Sequence, residues 1–144
     1  MTESNTSWGQ QRRENARLLA EKQRLREQAE SEQAQEFLNR FAAAAKETGL
    51  ASTPLQVRGY GGKGTARTSL RGWMLMNSPR LAVDTDGNFY LLTQQLSLRD
   101  RLVGVTPKPS APPLILGRGG RDGESMDLTV ALDKLLPQWR GAGS

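Results

Sequence analysis

The run Arg58-Gly-Tyr-Gly-Gly-Lys-Gly-Thr65 is where this chain comes nearest to a chemical motif. Glycines followed by a lysine and a hydroxyl residue invite a phosphate-binding reading. A P-loop, however, needs Gly, four residues, then Gly-Lys followed at once by Ser or Thr, so that ammonium and hydroxyl reach phosphate and magnesium together. Here Gly64 separates Lys63 from Thr65, and no convincing helix follows. A nucleotidase is rejected on that ground. What remains is a basic loop with one aromatic group, suited to touching a nucleic-acid backbone while Tyr60 stacks on a base. The plainer alternative is a mobile connection between helix and sheet.

Two other segments have partial motifs. In Gly117-Arg-Gly-Gly-Arg-Asp-Gly123, backbone amides could hold an anion at a following helix N-terminus, with Arg118 and Arg121 alongside. Asp122 stands where the dinucleotide fingerprint has its third glycine, and no βαβ unit surrounds the stretch. Asp122, Glu124 and Asp127 would also repel an anion, so a structural turn is preferred. Asp84-Thr-Asp86-Gly87-Asn88 resembles the opening of a calcium loop, but threonine occupies position 93, where an EF-hand needs its glutamate. A hairpin turn explains it better. Neither a metal nor a cofactor is assigned.

Histidine and cysteine are both absent. That removes the usual base near neutral pH, the thiolate nucleophile and the commonest metal ligands. Catalysis would rest on carboxylates, and a carboxylate hydrolase needs a long cleft with aromatic platforms. Tryptophans scattered at 8, 73 and 139 in a chain with 6% aromatics do not supply one. The expectation is a non-enzymatic protein.

The net charge of +5 is localised. Residues 1–48 and 81–144 are each balanced, so the excess is Arg58, Lys63, Arg67, Arg71 and Arg80, with no Asp or Glu between Ala51 and Leu81. A concentrated positive stretch can neutralise several phosphates and release their counterions. It can equally be a solvated loop that keeps the protein soluble.

The elements that must position these groups are readable from periodicity. Residues 8–48 form one long helix, rich in Glu, Gln, Arg, Ala and Leu, with Gly49 as its C-terminal stop and Pro54 just beyond. Arg17 with Glu21 and Glu36 with Arg40 stand at helical spacing for ion pairs. Leu18, Leu19 and Leu25 are too sparse for a heptad seam, whereas Phe37, Leu38, Phe41, Ala42 and Ala45 make a core-facing stripe. The arm before about Glu30 therefore projects or frays, as a partner-binding helix or as a solvated extension.

From Leu55 the period becomes two. Leu55-Gln56-Val57 begins a first strand, residues 70–76 a second, and residues 81–84 and 89–93 flank an Asp-Gly hairpin turn. Trp73, Leu75, Leu81, Val83, Phe89 and Leu91 are expected on one buried face of a three-strand meander. Residues 96–103 are a short helix or irregular, 106–113 an extended proline-rich connection, and 114–116 a short strand. Ser125 is expected to cap a final helix carrying Leu128, Ala131, Leu132 and Leu135 on one face, closed by Pro137.

The reading is thus an α+β chain: a polar helical arm over 1–30, a small domain over 31–140 with an antiparallel meander of three to five strands and a packed C-terminal helix, and a disordered tail over 141–144. The expected function is nucleic-acid binding through the basic 58–80 segment, with Arg58, Tyr60, Lys63, Arg67, Arg71, Arg80, Arg118 and Arg121 as contacts. The alternative is a structural or adaptor protein, of bacterial or phage type from its arginine-rich composition, that binds a protein or self-associates through the N-terminal helix. With a polar start and no apolar span, the expected place is the cytoplasm and no membrane partner is expected.

Overall fold

The computed structural model describes residues 2–117 and 124–141, with side chains from Ser7 onward. The C-terminal residues 142–144 of the expected tail lie outside the described residues. A long helix, α1 (Thr2–Thr48), leads into a mixed five-stranded sheet and a short C-terminal helix. This is an α+β architecture. The strands are β1 (Thr53–Gly59), β2 (Thr65–Leu75), β3 (Ser78–Asp84), β4 (Phe89–Leu91) and β5 (Thr93–Gln94).

Helix α1 ends as its sequence demands. Gly49 adopts a positive φ of 70°, and the Leu50 N–H returns to the Ala45 carbonyl at 2.9 Å, satisfying an orphan acceptor of the last turn. Leu50 then packs on the core, which fixes the direction of the exit. The buried stripe is longer than its aromatic part: Ala34, Leu38, Phe41, Ala42 and Ala45 recur at helical spacing, with Ala44 buried beside them. Phe41 meets Trp73 edge-on at 5.2 Å, and Phe37 meets Trp139 at 5.8 Å. Such pairs add about 0.5–1.5 kcal/mol beyond their buried area. Before Ser31 the helix is almost entirely exposed, yet it remains helical. The expected ion pairs Arg17–Glu21 and Glu36–Arg40 do not form. The i,i+4 links found are amide-based instead, Gln23 to Glu27, Gln28 to Glu32 and Gln35 to Asn39.

Strands β1 to β4 run as an antiparallel meander, but β5 does not continue it. The order is β4-β3-β2-β1-β5, with β5 parallel to β1, although a single residue separates β5 from β4. That residue is Leu92. Its N–H donates to Arg80 of β3 at 2.7 Å, and its carbonyl accepts from the Arg58 N–H of β1 at 2.9 Å. One bent strand therefore pairs first with β3 and then with β1, and the sheet closes on itself as a small ring.

Closure creates two cores. Inside the ring lie Leu55, Val57, Ala82, Tyr90 and Leu92, joined by Leu70, Leu96 and Val105. Outside it, Trp73, Leu75, Val83 and Phe89 pack beneath α1, α3 (Leu128–Leu135) and Trp139. The expected single buried face holds for Trp73, Leu75, Val83 and Phe89, with Leu81 half-buried. Leu91 departs from it. Its register with Leu81 keeps it on the outer face, but it is 55% exposed, because the polar part of α1 above it leaves an open groove.

Two tight turns set the hairpins. The β2–β3 hairpin turns on Met76 and Asn77, both with positive φ (56° and 51°), so Ser78 and Pro79 belong to β3 and not to the turn. Asp84 is the one buried charged side chain among the described residues, and it organises the Asp-Gly turn. Its carboxylate accepts from the N–H groups of Asp86 and Asn88, each at 2.9 Å, and from the Asn88 amide at 3.1 Å.

The remaining pieces are short. Helix α2 (Leu98–Val103) starts at a Ser97–Asp100 capping box. Strands β6 (Ile115–Leu116) and β7 (Met126–Asp127) form a separate antiparallel pair. The cap expected at Ser125 is not there. Asp127 stands at the N-cap of α3 without a side-chain bond, β7 runs directly into the helix, and the Leu128 N–H is taken by the Leu114 carbonyl.

Two tests of this fold follow. Asp84→Ala takes the acceptor from three part-buried N–H groups and should cost about 1–3 kcal/mol in denaturant unfolding. Burial, reinforced by the neighbouring Asp84, raises the Tyr90 phenol to about 12 from its usual 10. A raised folded-state value means that this contribution is complete below pH 10 and is lost as pH climbs towards 12. Tyr90→Phe should flatten the stability profile across that interval, read by denaturant unfolding at stepped pH.

Candidate nucleic-acid interface

The β1–β2 register decides where the basic side chains stand. Leu55, Val57 and Ala66 are buried towards the ring interior, so alternate residues face outward. The outward pairs are Arg58 with Thr65, Gln56 with Arg67 and Pro54 with Arg71. Arg58, Arg67 and Arg71 therefore share one exposed outer face. Arg58 and Arg67 sit on a diagonal, roughly 8 Å apart by strand geometry.

A bulge between Pro54 and Gln56 stretches this row. Two residues of β1 there span four of β2, and Thr68 fills the irregularity by donating to the Leu55 carbonyl at 2.6 Å while accepting from the Leu70 N–H. Arg71 is steadied by Ser52, through Nε to the hydroxyl at 3.2 Å and Nη2 to the carbonyl at 2.9 Å. Arg67 donates through Nη2 to the Leu102 carbonyl at 3.1 Å. Each guanidinium has five donors, so both retain free N–H groups. Among the described residues, none of Arg58, Lys63, Arg67, Arg71 and Arg80 forms an ion pair; the pair found there is Arg140 with Asp133 at 3.1 Å.

The glycine run closes the β1–β2 hairpin; it does not connect helix to sheet. Residues Tyr60–Gly62 make a single 3-10 turn, and Gly61, Gly62 and Gly64 all have positive φ between 65° and 86°. Only glycine adopts that backbone cheaply, so the glycines serve the turn geometry. Gly59 has an ordinary φ, but a Cβ there would run into the Lys63 carbonyl. The turn leaves Tyr60 62% exposed and Lys63 in solvent at the end of the arginine row.

Arg101 is the group the sequence did not bring forward. It arrives from α2 and donates through Nη2 to the Lys63 carbonyl at 3.2 Å, with its guanidinium against Gly64. Together with Tyr60, Lys63 and Leu96 it lines a hollow of about 370 Å³ beside the turn. Its place on the far side of a charge-balanced stretch hid it, and no local pattern could have linked it to Lys63.

Arg80 is exposed but lies outside the row, on the part of β3 where the β2–β3 register shifts. Its carbonyl receives the Leu92 N–H, so Arg80 and Arg58 stand on the two strands flanking Leu92. Arg118 and Arg121 lie outside the described residues. Among the described residues no cluster of carboxylates could hold a metal ion, and no helix is long and apolar enough to cross a membrane.

Compared with known families, curated proteins and solved structures, the chain matches none of them. The geometry above is therefore the whole basis for a functional reading.

Since Gly59 is demanded by contact and not by charge, Gly59→Ala should lower stability by more than about 1 kcal/mol in urea unfolding. Lys63→Ala, an exposed change, should stay within about 0.5 kcal/mol of the parent.

Proposed function

We propose that this chain is a non-enzymatic binding protein that takes single-stranded nucleic acid on the outer face of β1 and β2. The observation that carries the reading is the shared outward register of Arg58, Arg67 and Arg71, none of them ion-paired among the described residues. Lys63 and Arg101 extend the positive row around the hairpin turn, and Tyr60 offers an exposed ring beside it. A backbone-tracking row of cations with one aromatic platform is what sequence-tolerant single-strand binding requires, since every base has a face to stack. In this role the protein binds and releases; it makes and breaks no bond.

A second reading has its own support. The exposed stretch of α1 before Ser31 is a long, regular, unburied helix, which is costly to maintain without a use. On that reading the protein is structural or an adaptor and engages another chain through this arm.

Fluorescence anisotropy with labelled single- and double-stranded DNA and RNA across a salt series tests the first reading. Binding should favour single strands, and log affinity should fall against log salt with a slope near −3, as about four phosphates displace their counterions. Changing Arg58, Lys63, Arg67 and Arg71 together to alanine should abolish it near physiological salt. Tyr60→Ala should weaken it roughly tenfold, the scale of one base stack, and leave the salt slope unchanged. Equal and weak binding by the parent and the quadruple variant would remove the reading.

A further inference from the structure

The hollow beside the β1–β2 turn holds chemistry that a plain row of cations does not need. Tyr60 and Lys63 line it from the turn, and Gln95, Leu96 and Arg101 from the segment that follows β5. Among the described residues no carboxylate lines it. Asp100, next to Arg101 in the chain, is engaged elsewhere, its carboxylate accepting from the Ser97 N–H at 3.0 Å. Leu96 packs on the inner cluster, so this wall is tied to the ring. Gln95 is exposed, and its amide offers both donors and an acceptor. An aromatic ring, an apolar wall, an amide and two cations thus share about 370 Å³, which is at the small end of ligand sites and suits one nucleotide.

The lip of the hollow is braced by its own backbone. The Gly59 N–H donates to the Gly64 carbonyl at 2.9 Å, and the Lys63 N–H to the Tyr60 carbonyl at 3.3 Å. Arg101 is pinned as well. Its Nη2 donates to the Lys63 carbonyl at 3.2 Å, and a Cβ at position 64 would stand 2.7 Å from its Nε. Gly64 therefore seats the guanidinium in addition to supplying a positive φ of 86°. A guanidinium held in place beforehand gives up less freedom when it takes an anion, and most of its five donors remain open.

Charge decides which nucleotide fits. A phosphodiester inside a strand carries one negative charge, whereas a phosphomonoester at its end carries about −1.5 to −2 near pH 7. Lys63 and Arg101 bring two positive charges to one hollow that no carboxylate shares, and Lys63 stands at the end of the arginine row. We propose that the hollow is a terminal-nucleotide subsite, taking the last nucleotide of a bound single strand and its phosphomonoester. The phosphate lies with Lys63 and Arg101, the base stacks on Tyr60, and Gln95 meets the base edge. The inference rests on the strand-binding reading and names the part of the strand that this end of the row recognises. The chemistry required is a nucleotide with a phosphomonoester, which a strand can present at its 5′ or its 3′ end.

Anisotropy on the full chain tests it with internally labelled single strands that differ only at their ends: 5′-phosphate, 3′-phosphate, hydroxyl at both ends, and a closed circle. One of the phosphorylated ends should bind about tenfold tighter than the hydroxyl-ended strand, the scale of one hydrogen bond to a charged group, and which end it is gives the polarity of the bound strand. Arg101→Ala should erase that preference, keep most of the hydroxyl-ended binding and leave the thermal midpoint unchanged. Gln95→Ala should make the loss depend on the terminal base. A nucleoside monophosphate phosphorylated at the matching position should compete for the preference, whereas the bare nucleoside or inorganic phosphate at the same concentration should not. Equal binding of all four strands overturns the terminal subsite and leaves the strand-binding face standing. An end preference that survives Arg101→Ala puts the end elsewhere and overturns it too. Competition by inorganic phosphate as strong as by the nucleotide reduces the hollow to an anion contact and overturns the nucleotide assignment. Absence of binding by every strand removes the subsite together with the reading it rests on.

Discussion

The backbone of Leu92 is the constraint on which the rest of this structure depends. This one residue gives its N–H to β3 and its carbonyl to β1, so a meander that would present two open borders becomes a ring. Each β-strand then has an inside and an outside. The inside is filled by Leu55, Val57, Ala82, Tyr90 and Leu92, a small cluster that α1 could not have covered. The outside is free to receive α1 and α3 over β2 and β3, and that larger core holds Phe41, Trp73, Leu132 and Trp139. The division of labour is economical in a chain with only 36% hydrophobic residues. Neither layer alone would bury enough apolar surface to order the backbone.

The basic face is a by-product of that closure. Because Val57 and Ala66 are claimed by the interior, Arg58 and Arg67 have no alternative but to face out. The two strands that flank Leu92 bring Arg58 and Arg80 within the same neighbourhood, and α2 adds Arg101 from a distant part of the chain. The glycines that first suggest phosphate chemistry turn out to be the turn that lets β2 return along β1. Their positive φ angles fold the hairpin, and the positive charge beside them comes from Lys63 in the turn, the strand arginines and Arg101 of α2.

Much of this was legible before any coordinates. The long helix and its Gly49 stop, the Asp-Gly hairpin, the α3 stripe and the outer-face residues Trp73, Leu75, Val83 and Phe89 all follow local periodicity and turn chemistry. What escaped was non-local or two-sided. The alternation rule assumes one wet face, and it misplaced Tyr90 and Leu92, which the ring buries on its other side. The uninterrupted Phe89-Tyr-Leu-Leu run was the available signal, since a strand covered on both faces reads as continuously apolar. The Asp127 start of α3 was hidden because β7 supplies the helix entry that a Ser125 cap would otherwise provide. Of the basic groups, the strand residues could be placed by parity once β1 and β2 were paired, whereas Arg101 needed the tertiary fold.

Closure through Leu92 also dictates an order of events as the chain folds. The β2–β3 and β3–β4 hairpins join residues near in sequence through two tight turns, and they can form on the microsecond scale of local structure. Arg58 and Leu92 are far apart along the chain, so joining them carries the largest loop-closure entropy in the sheet. The inner cluster, which draws on β1 as well as β3 and β4, can consolidate only after that step. The ring is therefore the slow contact in assembly, and the inner cluster is the part of the molecule most exposed in the species that precede it.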